Sequence, residues 1–434
     1  MSSERTIERD AEPESAQPVT SGAESVVRAL ENASVDTVFG VQGGAIMPVY
    51  DALYDSAISH VTMSHEQGAA HAADAYGHVT GNPGICMATS GPGATNLVTG
   101  LADADMDSDP VVALTGQVPT EFVGSDAFQE TDTTGVTRPI TKENYFATDP
   151  DDVGDTVGEA FAMAERGRQG PTLVDLPKDV TNADTDREPG PARLPETYRP
   201  ATEADPADVD AAAKTFADAE RPVILAGGGV IKAEASDRIR DLAIENDVPV
   251  VTTMPGIGAF PEDHDLSLSW AGMHGTGYAN LALTMADCIF AVGTRFDDRL
   301  TGGVETFAPD AEIIHVDIDP AEISKNIQAD HGLVGDASAV VRQFADALPR
   351  APDTEEWVAT CWTWKNDYPL DYSIDEDGPV KPQFVVEAVD AATDDDTLVT
   401  TGVGQHQMWA SQYWTFTEPR TWVSSHGLGT MGYG

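Results

Sequence analysis

The sequence predicts an α/β protein made of consecutive doubly wound, parallel-sheet domains. Three observations lead there. Helix-patterned stretches alternate with short apolar runs along most of the chain. The runs lack a polar alternate face: Val111-Val112-Ala113-Leu114, Thr172-Leu173-Val174-Asp175-Leu176 and Val223-Ile224-Leu225-Ala226 read as strands covered by helices on both sides. Two stretches of broken periodicity, 182–205 and 351–380, separate three such units.

The elements follow in order. Residues 1–18 are polar, carry Glu12-Pro13-Glu14 and predict a disordered acidic tail. A first domain spans 19–181. Ala23–Glu31 is helical, Asp36–Val41 a strand, Ile46–Asp55 a helix and Ile58–Met63 a strand. Gly84–Thr89, Pro110–Thr115 and Thr172–Leu176 are further strands, with helices at Leu97–Ala104 and Val153–Glu165. After the linker 182–205, a second unit spans 206–350. Its strands are Val223–Ala226, Val248–Thr252, Cys288–Val292 and Ile313–Val316. The triplet Gly227-Gly228-Gly229 after a strand could cradle a dinucleotide, but it is not GxGxxG. After the acidic, Trp-bearing connection 351–380, a third unit spans 381–434. It offers one strand at Thr397–Thr401 and one helix from about His406, too little to bury its own faces.

Composition narrows the setting. With 73 acidic and 24 basic residues, only seven of the latter lysine, the net charge is −49. Such self-repulsion is heavy at ~0.1 M salt and screened at ~1 M, where the Debye length falls to about 3 Å. A halophilic protein is expected, and nucleic acid is excluded as a partner. Cys86, Cys288 and Cys361 are far apart without metal-ligand spacing, and Cys86 and Cys288 read as core thiols. No apolar run is long enough to span a membrane and the N-terminus is not signal-like, so a cytoplasmic protein is expected.

The stretch Ser64 to Gly77 reads as the start of a helix. Ser64 and Gln67 make a capping-box pattern, and small residues at Gly68, Ala69, Ala70, Ala72 and Ala73 leave room for a close approach by backbone or ligand. Glu66 lies in the first turn, where a carboxylate also simply favours the helix N-terminus. Downstream, strand Gly84–Thr89 runs into Ser90-Gly91-Pro92-Gly93-Ala94-Thr95-Asn96, a glycine turn of the kind that offers backbone amides to a ligand.

Taken together with other short motifs in a fixed order, these stretches resemble the thiamine-diphosphate enzymes of the pyruvate oxidase group, and most closely the acetolactate synthase (acetohydroxyacid synthase) catalytic-subunit family. The motifs include Phe39-Gly40 with Gly43-Gly44, His65-Glu66-Gln67-Gly68-Ala69, Ser90 to Asn96 and Phe128-Gln129-Glu130. Asp175-Leu176-Pro177-Lys178, Gly272-Met273-His274-Gly275-Thr276, Arg295-Phe296-Asp297-Asp298-Arg299, Gly404-Gln405-His406-Gln407 and Gly427-Leu428-Gly429-Thr430-Met431 complete the series. Val41-Gln42 stand where the family usually has Tyr-Pro. The resemblance implies a pyrimidine-binding domain, a central FAD-associated domain and an incomplete diphosphate-binding domain. The family's Mg²⁺ motif, an Asp in Gly-Asp-Gly followed by a distant Asn, is expected beyond Gly434, so no metal ligands are expected within the chain and a fragment of a longer gene is the simplest account.

The same resemblance implies residue roles. Glu66 would hydrogen-bond the aminopyrimidine of thiamine diphosphate and Gln129 would help hold substrate. Gly40, Gly43, Gly44, Gly404, Gln405, His406, Gly429 and Met431 would line the cofactor, although Met431 also reads as plain core. FAD would be held by Arg168, the turn Gly272, Met273, His274, Gly275 and Thr276, and Asp317 with Asp319; the two aspartates read equally as a strand-end turn into Pro320. Arg295 would face the carboxylate of a second keto acid or pair with Asp297 or Asp298 on the surface. Phe128 and Met273 would line a substrate channel or sit in core, and Lys178 would attract anionic substrate or only solvate. The implied reaction is decarboxylation of pyruvate and transfer of its two-carbon unit to pyruvate or 2-oxobutyrate, in branched-chain amino acid biosynthesis. A homodimer or tetramer with a small regulatory subunit is implied as well. Another thiamine-diphosphate carboligase, such as glyoxylate carboligase, or a non-catalytic fragment are the competing readings.

Overall fold

The computed structural model describes residues 19–374 and 378–434. The expected acidic tail, 1–18, lies outside the described residues. Two six-stranded sheets carry the chain, and each is parallel throughout.

The first sheet has the order β2-β1-β3-β4-β6-β5. Its strands are β1 Thr37–Gly40, β2 Ser59–Thr62, β3 Gly84–Ala88, β4 Val111–Gln117, β5 Glu143–Phe146 and β6 Pro171–Pro177. Alternate residues of β3 face opposite layers, which is the doubly wound arrangement predicted. Ile85 and Met87 join Val26, Leu30, Val49, Leu53, Val157 and Phe161 in one core, from the helices Gly22–Asn32, Met47–Tyr54 and Val153–Glu165. Cys86 and Ala88 join Ala69, Ala70, Ala73, Leu97 and Leu101 in the other, beneath the helices Glu66–Thr80 and Val98–Asp107.

The second sheet has the order β12-β11-β10-β7-β8-β9. Its strands are β7 Pro222–Ala226, β8 Val250–Thr252, β9 Ser267–Trp270, β10 Cys288–Val292, β11 Glu312–Asp317 and β12 His331–Val334. Phe216, Phe290 and Phe344 anchor one face, with Phe290 stacked on Phe344 at 4.1 Å between centroids. The stretch expected as a connection after residue 350 contains the helix Glu355–Asp367, which packs Trp357 and Cys361 into the other face. Trp357 Nε1 donates to the Pro222 carbonyl at 3.0 Å. All three cysteines are buried and free.

The third unit has two parallel strands, β13 Val399–Thr401 and β14 Trp422–Ser424, rather than the single strand expected. It does not stand alone. Ala410, Phe416 and Trp422 share a core with Ile257 and Trp270 of the second unit. Half-buried Glu262 ties the same junction, accepting from the Phe416 amide at 3.0 Å and from Ser269 Oγ at 2.9 Å. Among the described residues no helix is long and apolar enough to cross a membrane.

Candidate functional site

The carboxyl ends of β1, β3, β4 and β6 point to one edge of the first sheet, and the chain reverses its direction of travel across the sheet between β1 and β3. In open α/β sheets that edge is where ligands bind. Gly40 ends β1 and Gly43 and Gly44 follow it, while Glu66, Gln129 and Lys178 come after β2, β4 and β6, which are parallel to it.

Glu66 is the first residue of the helix Glu66–Thr80. The cap is His65, not Ser64: His65 has extended backbone, and its Nδ1 accepts from the Gln67 amide at 3.1 Å. The helix therefore starts later than the capping-box reading implies, and the Gln67 side chain is left to meet His71 Nε2 at 3.4 Å. The small residues of this helix serve backbone packing. A side chain at Gly77 would strike the Pro110 carbonyl, and one at Gly100 would strike Ala70.

Glu66 is half-buried, and its Oε2 accepts from Asn96 Nδ2 at 3.0 Å. The turn Ser90–Asn96 thus delivers a partner to the carboxylate. Gly93 faces the other oxygen: a Cβ there would lie 3.5 Å from Oε1, which has no hydrogen bond among the described residues. Thr89 stands between two of the predicted glycines. Side chains at Gly43 or Gly93 would both collide with it, and its Oγ1 accepts from the Ala45 amide at 3.2 Å. Gln129 has φ 62°, a left-handed conformation that costs a non-glycine residue of order 1–3 kcal/mol and marks functional sites. Its carbonyl lies 2.7 Å from where a Cβ of Gly91 would sit. The loop is closed by Glu130, whose carboxylate accepts from the Gly124 and Ala127 amides. Beneath it, Gln117 Nε2 donates to the Thr131 carbonyl at 2.8 Å and to Asp175 Oδ2 at 2.9 Å. Phe128 beside Gln129 is 87% exposed, so it is not core.

A second group lies in the third unit. Gly404 precedes the helix Gln405–Tyr413, and buried Gln407 binds Ser424 Oγ at 2.7 Å. A Cβ at Gly402 would come 3.0 Å from the Gly432 amide and 3.7 Å from His406 Nε2, so the Gly404 to His406 turn and the Gly429 to Gly432 segment are neighbours. Gly429 and Gly432 have φ 74° and 86°, with open space where a side chain would stand. Met431 between them is 80% exposed, which rules out plain core within this chain.

The third group lines a cleft of about 580 Å³ between the first and second units. Arg168 spans it, donating to Ser108 Oγ at 3.0 Å, Asp319 Oδ2 at 3.2 Å and Glu322 Oε1 at 3.0 Å. Asp317 lines the same wall, and burial pushes its carboxyl up to about 6. Gly228 and Gly229 line the cleft, and a Cβ at Gly227 or Gly229 would strike the Gly293 backbone. Arg295 lines the cleft, with no carboxylate within 4 Å among the described residues; Asp297 instead caps the helix Asp298–Thr301. The turn Gly272–Thr276 lies apart from the cleft wall. The Met273 amide donates to the Arg299 carbonyl at 2.8 Å, Gln412 Nε2 donates to the His274 carbonyl at 2.6 Å, and Met273 is exposed. Sequence reasoning missed Asn96 as the partner of Glu66 and Glu322 as the partner of Arg168. Both pairs are far apart in sequence, and neither polar residue stands out on its own element.

Comparison with known proteins identifies this arrangement. Residues 20–136 match the thiamine pyrophosphate enzyme N-terminal TPP-binding domain, 209–344 the central domain and 402–434 the C-terminal TPP-binding domain. The chain is a thiamine pyrophosphate enzyme by fold and by domain order. Its similarity is more particular still. It is 49% identical over 419 residues to an acetolactate synthase of Mycobacterium bovis, covering 95% of this chain and 68% of that one. It is also 49% identical to the acetolactate synthase large subunit of Corynebacterium glutamicum (95% and 67% covered) and to a probable large subunit of Methanocaldococcus jannaschii (95% and 72%). The chain belongs to the acetolactate synthase large-subunit family.

Proposed function

We propose that this chain carries out the acetolactate synthase reaction: decarboxylation of pyruvate and transfer of the two-carbon unit to pyruvate or 2-oxobutyrate. The observation that carries the reading is the Glu66–Asn96 pair opposite Gly93, at the sheet edge where the family binds its cofactor. The residues fit thiamine diphosphate: one oxygen of Glu66 is fixed and the other open, and Gly429 and Gly432 leave a cradle that a Cβ would fill. When bound, thiamine diphosphate supplies the carbanion stabilisation that the side chains cannot.

The chain's own groups do the rest. Glu66 Oε1 holds a proton at the aminopyrimidine ring nitrogen while Asn96 fixes Oε2. Gln129, held in its left-handed loop by Glu130 and Gln117, orients substrate, and Lys178 draws it in. Arg295, free of any ion pair among the described residues, offers a bidentate fork to the second keto acid's carboxylate. FAD would bind in the cleft in a structural role, its diphosphate facing Arg166, Arg168 and Arg295 among a lining that also carries acidic residues such as Asp317 and Glu322, with Asp319 paired to Arg168; the Gly272–Thr276 turn would meet it from beyond the cleft wall. Mg²⁺ would accompany the cofactor's diphosphate, which Gly404, Gln405 and His406 would line. Exposed Phe128 and Met431, both assigned to the site, support its completion by a second copy of the chain, with a small regulatory subunit as a further partner.

The test is product analysis with pyruvate, thiamine diphosphate, Mg²⁺ and FAD in molar KCl, with glyoxylate as the alternative donor. Acetolactate from pyruvate is expected. Glu66→Gln should lower turnover by about 10²–10⁴-fold while cofactor still binds. Carboligation of glyoxylate alone would overturn the substrate assignment, and near-wild-type turnover of the variant would overturn the role of Glu66.

A further inference from the structure

Behind the sheet edge, a buried cluster remains unexplained by the proposed reaction. His71 and Asp74 lie one turn apart on the helix that begins with Glu66, and Asp103 faces them from the helix Val98–Asp107. They are 4%, 1% and 0% exposed. His71 Nδ1, Asp74 Oδ1 and Asp103 Oδ2 are all buried without a hydrogen-bond partner, and one ligand atom from each side chain fits within a span of 4.8 Å. The His71 Nδ1 to Asp103 Oδ2 separation is 3.5 Å, close to the edge of a coordination polyhedron with ~2.1 Å bonds. Orphaned polar atoms are costly in an interior and call for an explanation. Three side chains that each carry an orphaned atom, and that bring one ligand atom apiece within 4.8 Å of one another, call for one ligand.

We propose that His71, Asp74 and Asp103 form a binding site for a divalent transition-metal ion of the Zn²⁺ class. The charges around it agree. Four aspartates, Asp74, Asp103, Asp107 and Asp109, crowd this region. Asp109 is matched by Lys232 and by His78 Nδ1 at 3.2 Å. Asp107 is matched by His426, taking the His426 and Gly427 amides at 2.7 Å each. Asp74 has no Lys, Arg or His nitrogen within 4 Å of its carboxylate among the described residues, and Asp103 has only the imidazole of His71.

The atoms pointing away from the centre are already held, as they are around metal ligands generally. Asp103 Oδ1 accepts from Ser425 Oγ at 2.6 Å. His71 Nε2 lies 3.4 Å from Gln67 Nε2; a half-turn of that amide brings its oxygen to Nε2, which then carries the proton and leaves Nδ1 for the metal. Tyr433 closes the site, its ring 5.1 Å from that of His71. Ser425 and Tyr433 bracket the segment that holds Gly429 and Met431. A bound ion therefore pins that segment to the helix of Glu66, away from the diphosphate Mg²⁺ site and without entering the reaction.

The test uses this chain, stripped with chelator and titrated with Co²⁺ without thiamine diphosphate. Millimolar Mg²⁺ and molar KCl are kept present to occupy oxygen-only surface sites. One equivalent of Co²⁺ with the intense visible bands of a low-coordinate site is expected, together with an exchangeable, paramagnetically shifted imidazole N–H resonance and a raised Tm. His71→Asn and Asp103→Asn should each weaken binding at least tenfold and abolish the bands. Weak bands of six-coordinate, surface-bound Co²⁺ in the parent protein would overturn the site and leave a proton-sharing carboxyl pair in its place. Unchanged bands in folded His71→Asn would overturn it equally. If the variants fail to fold, the shifted imidazole resonance of the parent decides alone.

Discussion

Asp175 sits beneath the proposed substrate loop, and its ionisation can be read out. Two effects compete there. Thr115 Oγ1 at 2.7 Å and Gln117 Nε2 at 2.9 Å donate to the carboxylate and favour charge. Burial at 1% exposure opposes charge and wins, lifting the group from 3.8 to about 7. A folded-state value above the unfolded one means the protonated side chain stabilises the fold. The contribution is full below pH 3.8 and is lost as pH rises through about 7. At about 1.4 kcal/mol per unit, the full swing is on the order of 4 kcal/mol, of which roughly 2.7 falls between about pH 4.5 and 6.5. Asp175→Asn removes the titration and keeps the shape, since Thr115 can accept from the new amide. Glu262 and Asp317 titrate in the same range, so the informative quantity is the difference between parent and variant. Hydrogen exchange in peptides covering β4 and β6, at constant molar KCl, gives the local opening free energy at each pH. The parent should lose protection relative to Asp175→Asn across this window. Parallel curves would mean that the donors outweigh burial and that Asp175 is charged throughout.

Three further outcomes are expected. Moving from dilute buffer to molar KCl should raise Tm by many degrees, measured by scanning calorimetry, because −49 charges repel until screened; an unchanged Tm would refute the halophilic reading. Arg295→Lys should raise KM for the second keto acid by about tenfold, through loss of the bidentate fork, with little change in the protein's fold by circular dichroism. Arg168→Ala should lower bound flavin absorbance and loosen the junction of the first two units, since it leaves the 4% exposed Glu322 with only Lys325 as its cation.

What was legible in the sequence follows from burial on both faces. β3, β4, β7, β10 and β11 are interior strands with nearly continuous apolar runs, and each was visible. β5, β9 and β12 were not, and all three lie at or next to no second neighbour, on sheet edges. Edge strands such as Glu143–Phe146 and His331–Val334 are partly exposed, so their composition resembles that of loops. β14 is buried, but at three residues it is too short for any pattern to form. The site divides the same way. Glu66, the glycine turns and Met431 could be named from ordered motifs. Asn96, Gln117, Asp175 and Glu322 could not be assigned partners, because their meaning lies in contacts 30 to 154 residues away in sequence. The misplacement of the cap at Ser64 has a local cause: His65 can accept with Nδ1, a use of histidine that the capping-box pattern does not include.

The charge distribution bears on how so acidic a chain can bind anions at all. Only 24 cations are available, yet Arg166, Arg168, Lys232, Arg295 and Arg420 line one cleft, interleaved there with acidic residues such as Glu165, Asp317 and Glu322. In dilute buffer the field of the acidic surface reaches ~10–30 Å and would repel a keto acid or a dinucleotide before it met them. In molar salt the same field dies within about 3 Å, and only the groups in direct contact are felt. Recognition then rests on a few arginines with fixed geometry, where planar bidentate donors outperform lysine. The scarcity of lysine and the clustering of arginine at the cleft are thus two consequences of one constraint. A surface acidic enough to stay hydrated in concentrated salt leaves anion binding to short-range pairs placed by the fold.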